Sequence, residues 1–204
     1  MPAWTTANLP NLSGRSVIVT GSNSGLGFET AKRLAEAGAS VTLAIRDLVK
    51  GERAAELIRS NAPKGTVQVD RLDVSDLDSV RNFADSWSSR HPNGLDLLIN
   101  NAGIMAIPRR ESPQGIEMQL ATNHLGHFAL TGLLFPALVA VPNSRVVTVS
   151  SLAHKMVKGF NFDDPMGAKK YRAWGAYGQS KLANLLFTVE FSRRLELGDY
   201  SVGA

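Results

Sequence analysis

The sequence predicts an α/β fold, a doubly wound parallel sheet covered by helices on both faces. Short apolar, β-branched segments alternate with segments of helical periodicity along the chain. This alternation implies crossover connections, which make the strands parallel. The strand segments are apolar without clean alternation, as in strands buried on both sides. With 204 residues, residues 1–204 are expected to form a single domain.

The first half of the chain supplies three strands and three helices. The predicted strands are 17–19, 41–45 and 67–72, and the helices that follow them are 26–37, 48–59 and 75–87. Gly38 ends the first helix, and Asn61 and Pro63 end the second. Ser75 and Asp78 have capping-box spacing, so Ser75 is the predicted N-cap of the third helix.

The second half continues the alternation and holds one long irregular stretch. Strands are predicted at 95–100 and 145–149, and helices at about 116–135 and 176–195. The irregular stretch, 151–174, is expected to carry substrate specificity because loops over a sheet edge commonly carry function. Candidate pocket residues there and after the fourth strand are apolar or aromatic: Met105, Ile107, His154, Met156, Phe160, Phe162 and Trp174.

Composition narrows the classes of function. The absence of Cys excludes disulfides, thiolate nucleophiles and Cys-ligated metal centres. The net charge is +4, but the basic residues are scattered, so no nucleic-acid partner is expected. Residues 1–14 lack the pattern of a signal peptide, and the uncharged stretch 128–141 is too short to span a membrane. These features predict a cytoplasmic protein without a transmembrane segment.

A glycine-rich turn joins the first strand to the first helix. The segment 20–27 reads TGSNSGLG. Glycines there allow a tight turn and let backbone N–H groups approach a pyrophosphate at the helix N-terminus. The alternative is a structural turn without a ligand. The candidate cofactor contacts are Gly21, Ser22, Asn23, Ser24, Gly25, Leu26 and Gly27.

Two residues at later strand ends bear on which dinucleotide binds. Arg46 follows the second strand, where an Arg accommodates a 2′-phosphate and an acid favours a bare ribose. NADP(H) is therefore preferred, with NAD(H) left open; a surface Arg46 paired with Asp47 or Glu52 is the alternative. Asp73 ends the third strand and is a candidate acceptor for the adenine amino group, or else a cap of the following turn.

Tyr177 and Lys181 are the candidate acid/base pair. They lie four residues apart, on one face of the last helix. A cation held beside a phenol favours the phenolate, which suits proton transfer to and from alcohols and ketones. Ser151 follows the fifth strand, at the sheet edge where ligands bind. The alternatives are an exposed helix face for the pair and a turn cap for Ser151.

These motifs, in this order, resemble the short-chain dehydrogenase/reductase family over essentially the whole chain. The set adds Asp73-Val74, the turn Asn100-Asn101-Ala102-Gly103, Asn123 and Ser150-Ser151 to the features above. The segments NHLGHF at 123–128 and YGQSKLAN at 177–184, with Arg46-Asp47, resemble the retinol-dehydrogenase and WW-domain-oxidoreductase branch. The resemblance implies a Rossmann-like fold.

The resemblance also implies a reaction, hydride transfer between a nicotinamide and the carbinol carbon of a small or lipophilic alcohol, aldehyde or ketone. Tyr177 would donate or accept the proton, and Ser151, with Ser150 as second choice, would orient the substrate oxygen. Lys181 would bind the nicotinamide ribose and favour the phenolate, and Asn123 would anchor a water between Lys181 and solvent. The further cofactor contacts would be Asp73, Val74, Asn100, Ala102 and Gly103, together with Tyr177 and Lys181.

Two further expectations follow from the resemblance, and one on two histidines follows from the sequence itself, which shows no third metal ligand beside them. The helices at 116–135 and 176–195 would pair in a homodimer or homotetramer. His124 and His127 are expected to pack in the fold and not to bind a metal. Family members continue through further strands, so the last strands are expected to be missing after Ser201, near the start of the sixth strand.

Two other functions stay open on the sequence. One is a non-catalytic or weakly active NADP(H)-binding fragment or interaction protein, whose mark would be a broken catalytic set. The other is a sugar-nucleotide epimerase or dehydratase, which shares the Tyr-x3-Lys pair but usually has a different glycine spacing and a larger substrate region.

Overall fold

The computed structural model describes residues 5–62 and 64–204, and its centre is a six-stranded parallel sheet. The strands are β1 (Ser16–Thr20), β2 (Ser40–Ile45), β3 (Thr66–Arg71), β4 (Leu97–Asn100), β5 (Ser144–Thr148) and β6 (Val202–Gly203). Their order across the sheet is β3-β2-β1-β4-β5-β6. The predicted doubly wound parallel sheet is confirmed, and the first five strands lie within two residues of their predicted bounds.

Helices connect the strands. They are α1 (Gly25–Glu36), α2 (Leu48–Arg59), α3 (Leu77–Arg90), α4 (Met118–Leu120), α5 (Gly126–Leu133), α6 (Phe135–Val139) and α7 (Ala173–Leu197). A π-helical turn, Ala121–Leu125, joins α4 to α5, and short 3-10 helices lie at Thr6–Asn8 and Leu152–Met156. Within the described residues, no helix combines the length and apolar character needed to cross a membrane. Two predictions reach residues outside the described ranges, the role of Pro63 in ending α2 and the signal-peptide prediction at residues 1–4.

The sheet separates two apolar cores. Side chains of α1 and α2, such as Ala31 and Ile58, form one core with Val17 and Val19 of β1. Side chains of α3, α5 and α7 form the other; its members include Trp87, Leu130 and Leu195, together with Ile18 of β1. Successive residues of β1 thus enter opposite cores, as a strand with two buried faces requires. This burial explains the apolar strands without alternation.

One predicted helix cap is wrong, and one predicted helix is confirmed with an added feature. The N-cap of α3 is Asp76, whose carboxylate accepts from Asp78 N–H at 3.1 Å. The Ser75 hydroxyl instead donates to Asp73 Oδ1 at 2.6 Å. The helix predicted at about 116–135 is present over residues 118–133, where α4, the π-helical turn and α5 follow one another without a gap, and Pro136 lies in the first turn of α6.

The strand order reverses between β1 and β4. The chain leaves β1 toward β2 on one side and returns to β4 on the other. Loops beyond the carboxyl ends of these two strands diverge and leave a crevice, the usual ligand site of open α/β sheets. Thr20 and Asn100 end the two strands, so the glycine-rich turn and the Asn100–Gly103 turn meet at this crevice.

Candidate active site

A cleft of about 650 Å³ opens at this sheet edge. Its walls come from the glycine-rich turn, the ends of β2 and β3, the turn after β4, and the start of α4. The predicted cofactor contacts that line it are Gly21, Asn23, Ser24, Leu26, Gly27, Arg46, Asp73, Val74, Ala102 and Gly103. Ser22 and Asn100 are buried beneath the surface and do not line it, and the predicted contacts Gly25, Tyr177 and Lys181 are not among its lining residues either.

The glycine-rich turn has the geometry of a phosphate cradle. Gly21 has a φ of 64°, and a Cβ there would lie 2.8 Å from Ala102 Cα. Only glycine therefore fits between the two turns. Ser24, the N-cap of α1, makes no side-chain hydrogen bond to the helix. The positive end of α1 is thus left for an anion in the cleft.

Thr20 joins the two turns. Its Oγ1 accepts from the N–H groups of Asn101 and Ala102, both at 2.9 Å. Asn101 returns the contact by donating from Nδ2 to Thr20 O at 2.8 Å. These bonds fix the Asn100–Gly103 turn against the glycine-rich turn.

Positive charge lies at the β2 end of the cleft. Arg46 is three-quarters exposed, with its guanidinium 3.9 Å from Asp73 Oδ2. It does not pair with Asp47 or Glu52, which contact Lys50 and Arg59 instead. Asp73 Oδ1 accepts from the N–H and the hydroxyl of Ser75, so Asp73 caps the following turn, which was the alternative prediction for it. Its Oδ2 faces Arg46.

Lys50 and Arg110 also line the cleft. Neither was singled out from the sequence. The sequence could have pointed to Lys50, because it lies four residues after Arg46 in the first turn of α2.

The acid/base pair lies on α7, beside this cleft. Lys181 is buried, and its Nζ donates to Val149 O at 2.9 Å. The same Nζ lies 5.9 Å from the centre of the Tyr177 ring. Burial lowers the pKa of Lys181 to about 8. A Cβ on Gly103 would lie 3.6 Å from Nζ, so the Lys181 ammonium lies next to the Asn100–Gly103 turn.

The side chain of Asn123 is bound mainly by protein groups. Its Oδ1 accepts from Ile104 N–H at 2.8 Å, and its Nδ2 donates to Ile104 O and to Ser180 Oγ, both at 2.9 Å. Both amide N–H groups are thus used, while Oδ1 keeps one lone pair and the backbone carbonyl lies 3.3 Å from His127 Nδ1. The water predicted at Asn123 stays a prediction. Ser180 was not singled out from the sequence, and its hydroxyl donates onward to Tyr177 O at 2.8 Å.

The two serines after β5 point to different partners. Ser150 Oγ donates to Lys181 O at 2.8 Å, so its proton is used inside the fold. Ser151 Oγ accepts from Ala153 N–H at 3.2 Å as a cap, which leaves its own proton for another acceptor. Gly178 packs against this turn, where a Cβ would lie 2.8 Å from Ala153 O. That close approach brings the Ser151 turn to the helix that carries Tyr177.

Both histidines of the 123–128 segment pack in the fold, as predicted. His124 lies edge-on to Phe187 and hydrogen-bonds Asn184 Oδ1 at 3.1 Å. His127 is fully buried, with Nε2 at 2.8 Å from Thr20 Oγ1. Because Thr20 Oγ1 already accepts two N–H groups, it donates to Nε2, and the ring proton lies on Nδ1, 3.3 Å from Asn123 O. Burial lowers the pKa of His127 to about 4.

Comparison with known proteins decides the family. The family model described as short chain dehydrogenase matches residues 15–202. The chain belongs to this family. Human retinol dehydrogenase 11 is 48% identical over 185 residues, which are 91% of this chain and 58% of that protein. The match confirms the retinol-dehydrogenase side of the predicted branch, and the chain spans well under two thirds of that relative's length.

Two solved structures share the fold of this chain. An uncharacterised protein from Mycobacterium paratuberculosis is 50% identical, with a TM-score of 0.87, over 98% of this chain and 69% of that one. The RhlG complex with NADP from Pseudomonas aeruginosa is 26% identical, with a TM-score of 0.73, over 94% of this chain and 69% of that one. These likenesses support the α/β fold of this chain.

Proposed function

We propose that the protein is an NADP(H)-dependent oxidoreductase that interconverts an alcohol and a ketone or aldehyde. The observation that carries the proposal is the position of the buried Lys181 ammonium, 5.9 Å from the Tyr177 ring and beside the turn that lines the cleft. A phenol next to a buried cation serves as acid and base for an alcohol oxygen. The glycine-rich turn adds the cradle for a dinucleotide phosphate.

The cofactor fits the residues present. The close contact of Gly21 with Ala102 and the open N-terminus of α1 suit a pyrophosphate. Asn23, Ser24, Asp73, Val74 and Gly103 would line its path along the cleft. A bound NADP(H) would supply or accept the hydride; the protein's own residues hold it and handle the proton.

Four residues carry the proton chemistry in this proposal. Tyr177 donates its phenolic proton to the carbonyl oxygen during reduction and takes it back during oxidation. Ser151, whose proton no described group takes up, donates a hydrogen bond to the same oxygen. Lys181 holds its ammonium 5.9 Å from the centre of the Tyr177 ring, and Asn123 holds the backbone of Ile104 and the Ser180 hydroxyl in place.

Cofactor preference is assigned to Arg46. Its guanidinium is exposed at the cleft, and its one ion-pair contact among the described residues is with Asp73, at 3.9 Å. Lys50 provides a second cation on the same side. A planar guanidinium and an ammonium together favour a 2′-phosphate over a free ribose hydroxyl.

The substrate is assigned only by class. The segment 151–174 presents apolar side chains, with Phe160 and Phe162 in edge contact at 4.9 Å and Trp174 edge-on to Tyr177 at 6.1 Å. These favour a lipophilic alcohol or carbonyl compound. The cytoplasmic location and the homodimer or homotetramer stay predictions; α5 and α7 each leave apolar side chains exposed, among them Phe128 and Val189.

The direct test titrates the full chain with NADPH and with NADH, and then assays reduction of a panel of aldehydes and ketones. We expect saturable NADPH binding, weaker NADH binding and NADPH oxidation with lipophilic carbonyls. Absence of binding by both cofactors would overturn the proposal. Binding without turnover across the panel would favour the non-catalytic alternative.

A further inference from the structure

We propose that Gln119 is a positioning residue for Tyr177, acting together with Tyr171. This inference rests on the proposed function. Gln119 lies in α4, one helical turn before Asn123, and its side chain is fully buried. It is the only fully buried glutamine in the described part of the chain, and its amide has a polar partner on both of its atoms.

Gln119 and Asn123 hold the same loop, residues 104–107, which follows the Asn100–Gly103 turn. Asn123 holds Ile104 through both its N–H and its C=O. Gln119 Oε1 accepts from Ala106 N–H at 2.7 Å. Ala106 has a φ of 51°, a conformation that L-residues rarely adopt, so this bond stabilises a strained turn. Ile104 and Ile107 line the cleft, which makes this loop part of its wall.

The same two amides also hold the helix that carries the acid/base pair. Gln119 Nε2 donates to Ala173 O, at the first residue of α7, at 2.9 Å. Asn123 Nδ2 donates to Ser180 Oγ at 2.9 Å. Tyr177 lies between these two attachment points. Two buried amides one turn apart therefore fix α7 on both sides of Tyr177 relative to the cleft wall.

Tyr171 completes the connection. Its hydroxyl accepts from Gln119 Nε2 at 2.8 Å and donates to Ile107 O at 2.9 Å, with the buried Glu117 Oε1 at 3.2 Å. Glu117 in turn caps α4 by accepting from the N–H groups of Gln119 and Leu120. Loss of the Gln119 amide would leave Ala106 N–H and Ala173 O without this partner, and both the loop and the start of α7 would gain freedom.

The experiment compares Gln119→Leu and Tyr171→Phe with a matched control, Gln68→Leu. Gln68 lies in β3, away from the cleft, and its Nε2 donates to Thr42 Oγ1 at 2.8 Å. Three quantities are measured on the full chain: NADPH-binding stoichiometry and affinity, kcat and KM for a carbonyl substrate, and hydrogen exchange of the 104–107 and 173–177 segments.

We expect Gln119→Leu to bind NADPH with unchanged stoichiometry, to lose roughly ten- to a hundredfold in kcat, and to exchange faster at 104–107. Tyr171→Phe should show the same pattern, more weakly, because it keeps both Gln119 bonds to the backbone. Gln68→Leu should change none of these. A purely structural role would lower binding stoichiometry and kcat together, and that result would overturn the inference.

The two proposals fail in different ways. If the unmodified chain shows no NADPH-dependent turnover, the proposed function fails and hydrogen exchange alone decides the role of Gln119. Equal hydrogen-exchange rates of the 104–107 segment in Gln119→Leu and Gln68→Leu would then contradict the positioning role of Gln119.

Discussion

Lys181 lies with its ammonium 5.9 Å from the centre of the Tyr177 ring and donates to the carbonyl of Val149 at 2.9 Å. The carbonyl belongs to the residue that follows β5, so the end of the sheet orients the cation of the helix. Burial lowers the pKa of this ammonium to about 8, because the charged form is poorly solvated there. The pair therefore depends on packing between α7 and the sheet edge as well as on helical spacing.

The buried ammonium gives the first prediction. The pKa of Lys181 is about 8 in the folded chain against 10.5 for the free side chain, so the unfolded chain binds more protons between these values. Its contribution to the free energy of unfolding should rise with pH in that window, by about 1.4 kcal/mol for each pH unit. Denaturant unfolding of the apo chain at several pH values, beside Lys181→Met, measures it. A variant that keeps the full slope would contradict the assignment.

Reversing the charge of Arg46 should change cofactor preference. Arg46→Asp places a carboxylate beside Asp73, where a 2′-phosphate would bind, so NADPH should bind more than about tenfold more weakly while NADH does not. Fluorescence titration with both cofactors measures the ratio. Arg81→Asp is the matched control, since Arg81 is an exposed arginine of α3 paired with Asp78. If the ratio of NADPH to NADH affinity is the same in Arg46→Asp and Arg81→Asp, Arg46 is only a surface residue.

Substitution of the two serines after β5 should have different effects. Ser151→Ala removes a hydroxyl whose proton is free for the substrate oxygen, so kcat/KM should fall by roughly a hundredfold or more. Ser150→Ala removes the bond to Lys181 O and should cost about 1 kcal/mol of stability with a small kinetic effect. Steady-state kinetics and denaturant unfolding of both variants decide. A larger loss of kcat/KM in Ser150→Ala than in Ser151→Ala would assign the hydrogen bond to the substrate oxygen to Ser150.

Acid should destabilise the fold through His127. Its pKa is about 4 when folded and 6.5 when free, so the unfolded chain binds the extra proton between these values. The stabilisation is complete above pH 6.5 and is lost as the pH falls toward 4, on the order of 3 kcal/mol in all. His127→Gln keeps a donor and an acceptor without titrating. Its free energy of unfolding should fall less than that of the unmodified chain between pH 7 and pH 4.5, and parallel losses would show that another group titrates.

The strands and the glycine-rich turn could be predicted because their signals are local. β-branched runs such as 17–19 mark strands, and the glycines at 21 and 25 mark backbone with positive φ, at 64° and 58°. The cleft lies where the strand order reverses, and the alternation of strands and helices predicts the doubly wound sheet in which such a reversal occurs. The side chains of Arg46 and Asp73 then reach it because each follows the end of a strand.

The π-helical turn inside the helix 118–133 could not be predicted from the apolar pattern of that helix. The turn accompanies the contacts of Asn123 with Ile104 and of Gln119 with Ala106, and both partners lie in the loop that follows β4. Ser75 failed as a cap because the neighbouring Asp73 accepts its hydroxyl. Lys181 Nζ donates to the backbone carbonyl of Val149. This contact could not be predicted, because every residue type has a backbone carbonyl.

The role of Tyr177 as proton donor is tested by comparing the unmodified full chain with Tyr177→Phe. Both are titrated with NADPH and assayed for NADPH oxidation with the best carbonyl substrate of the panel. We predict equal NADPH affinity and a fall in kcat of about a hundredfold to ten-thousandfold in the variant, because only the proton donor is removed. Turnover by Tyr177→Phe at the rate of the unmodified chain would contradict the account.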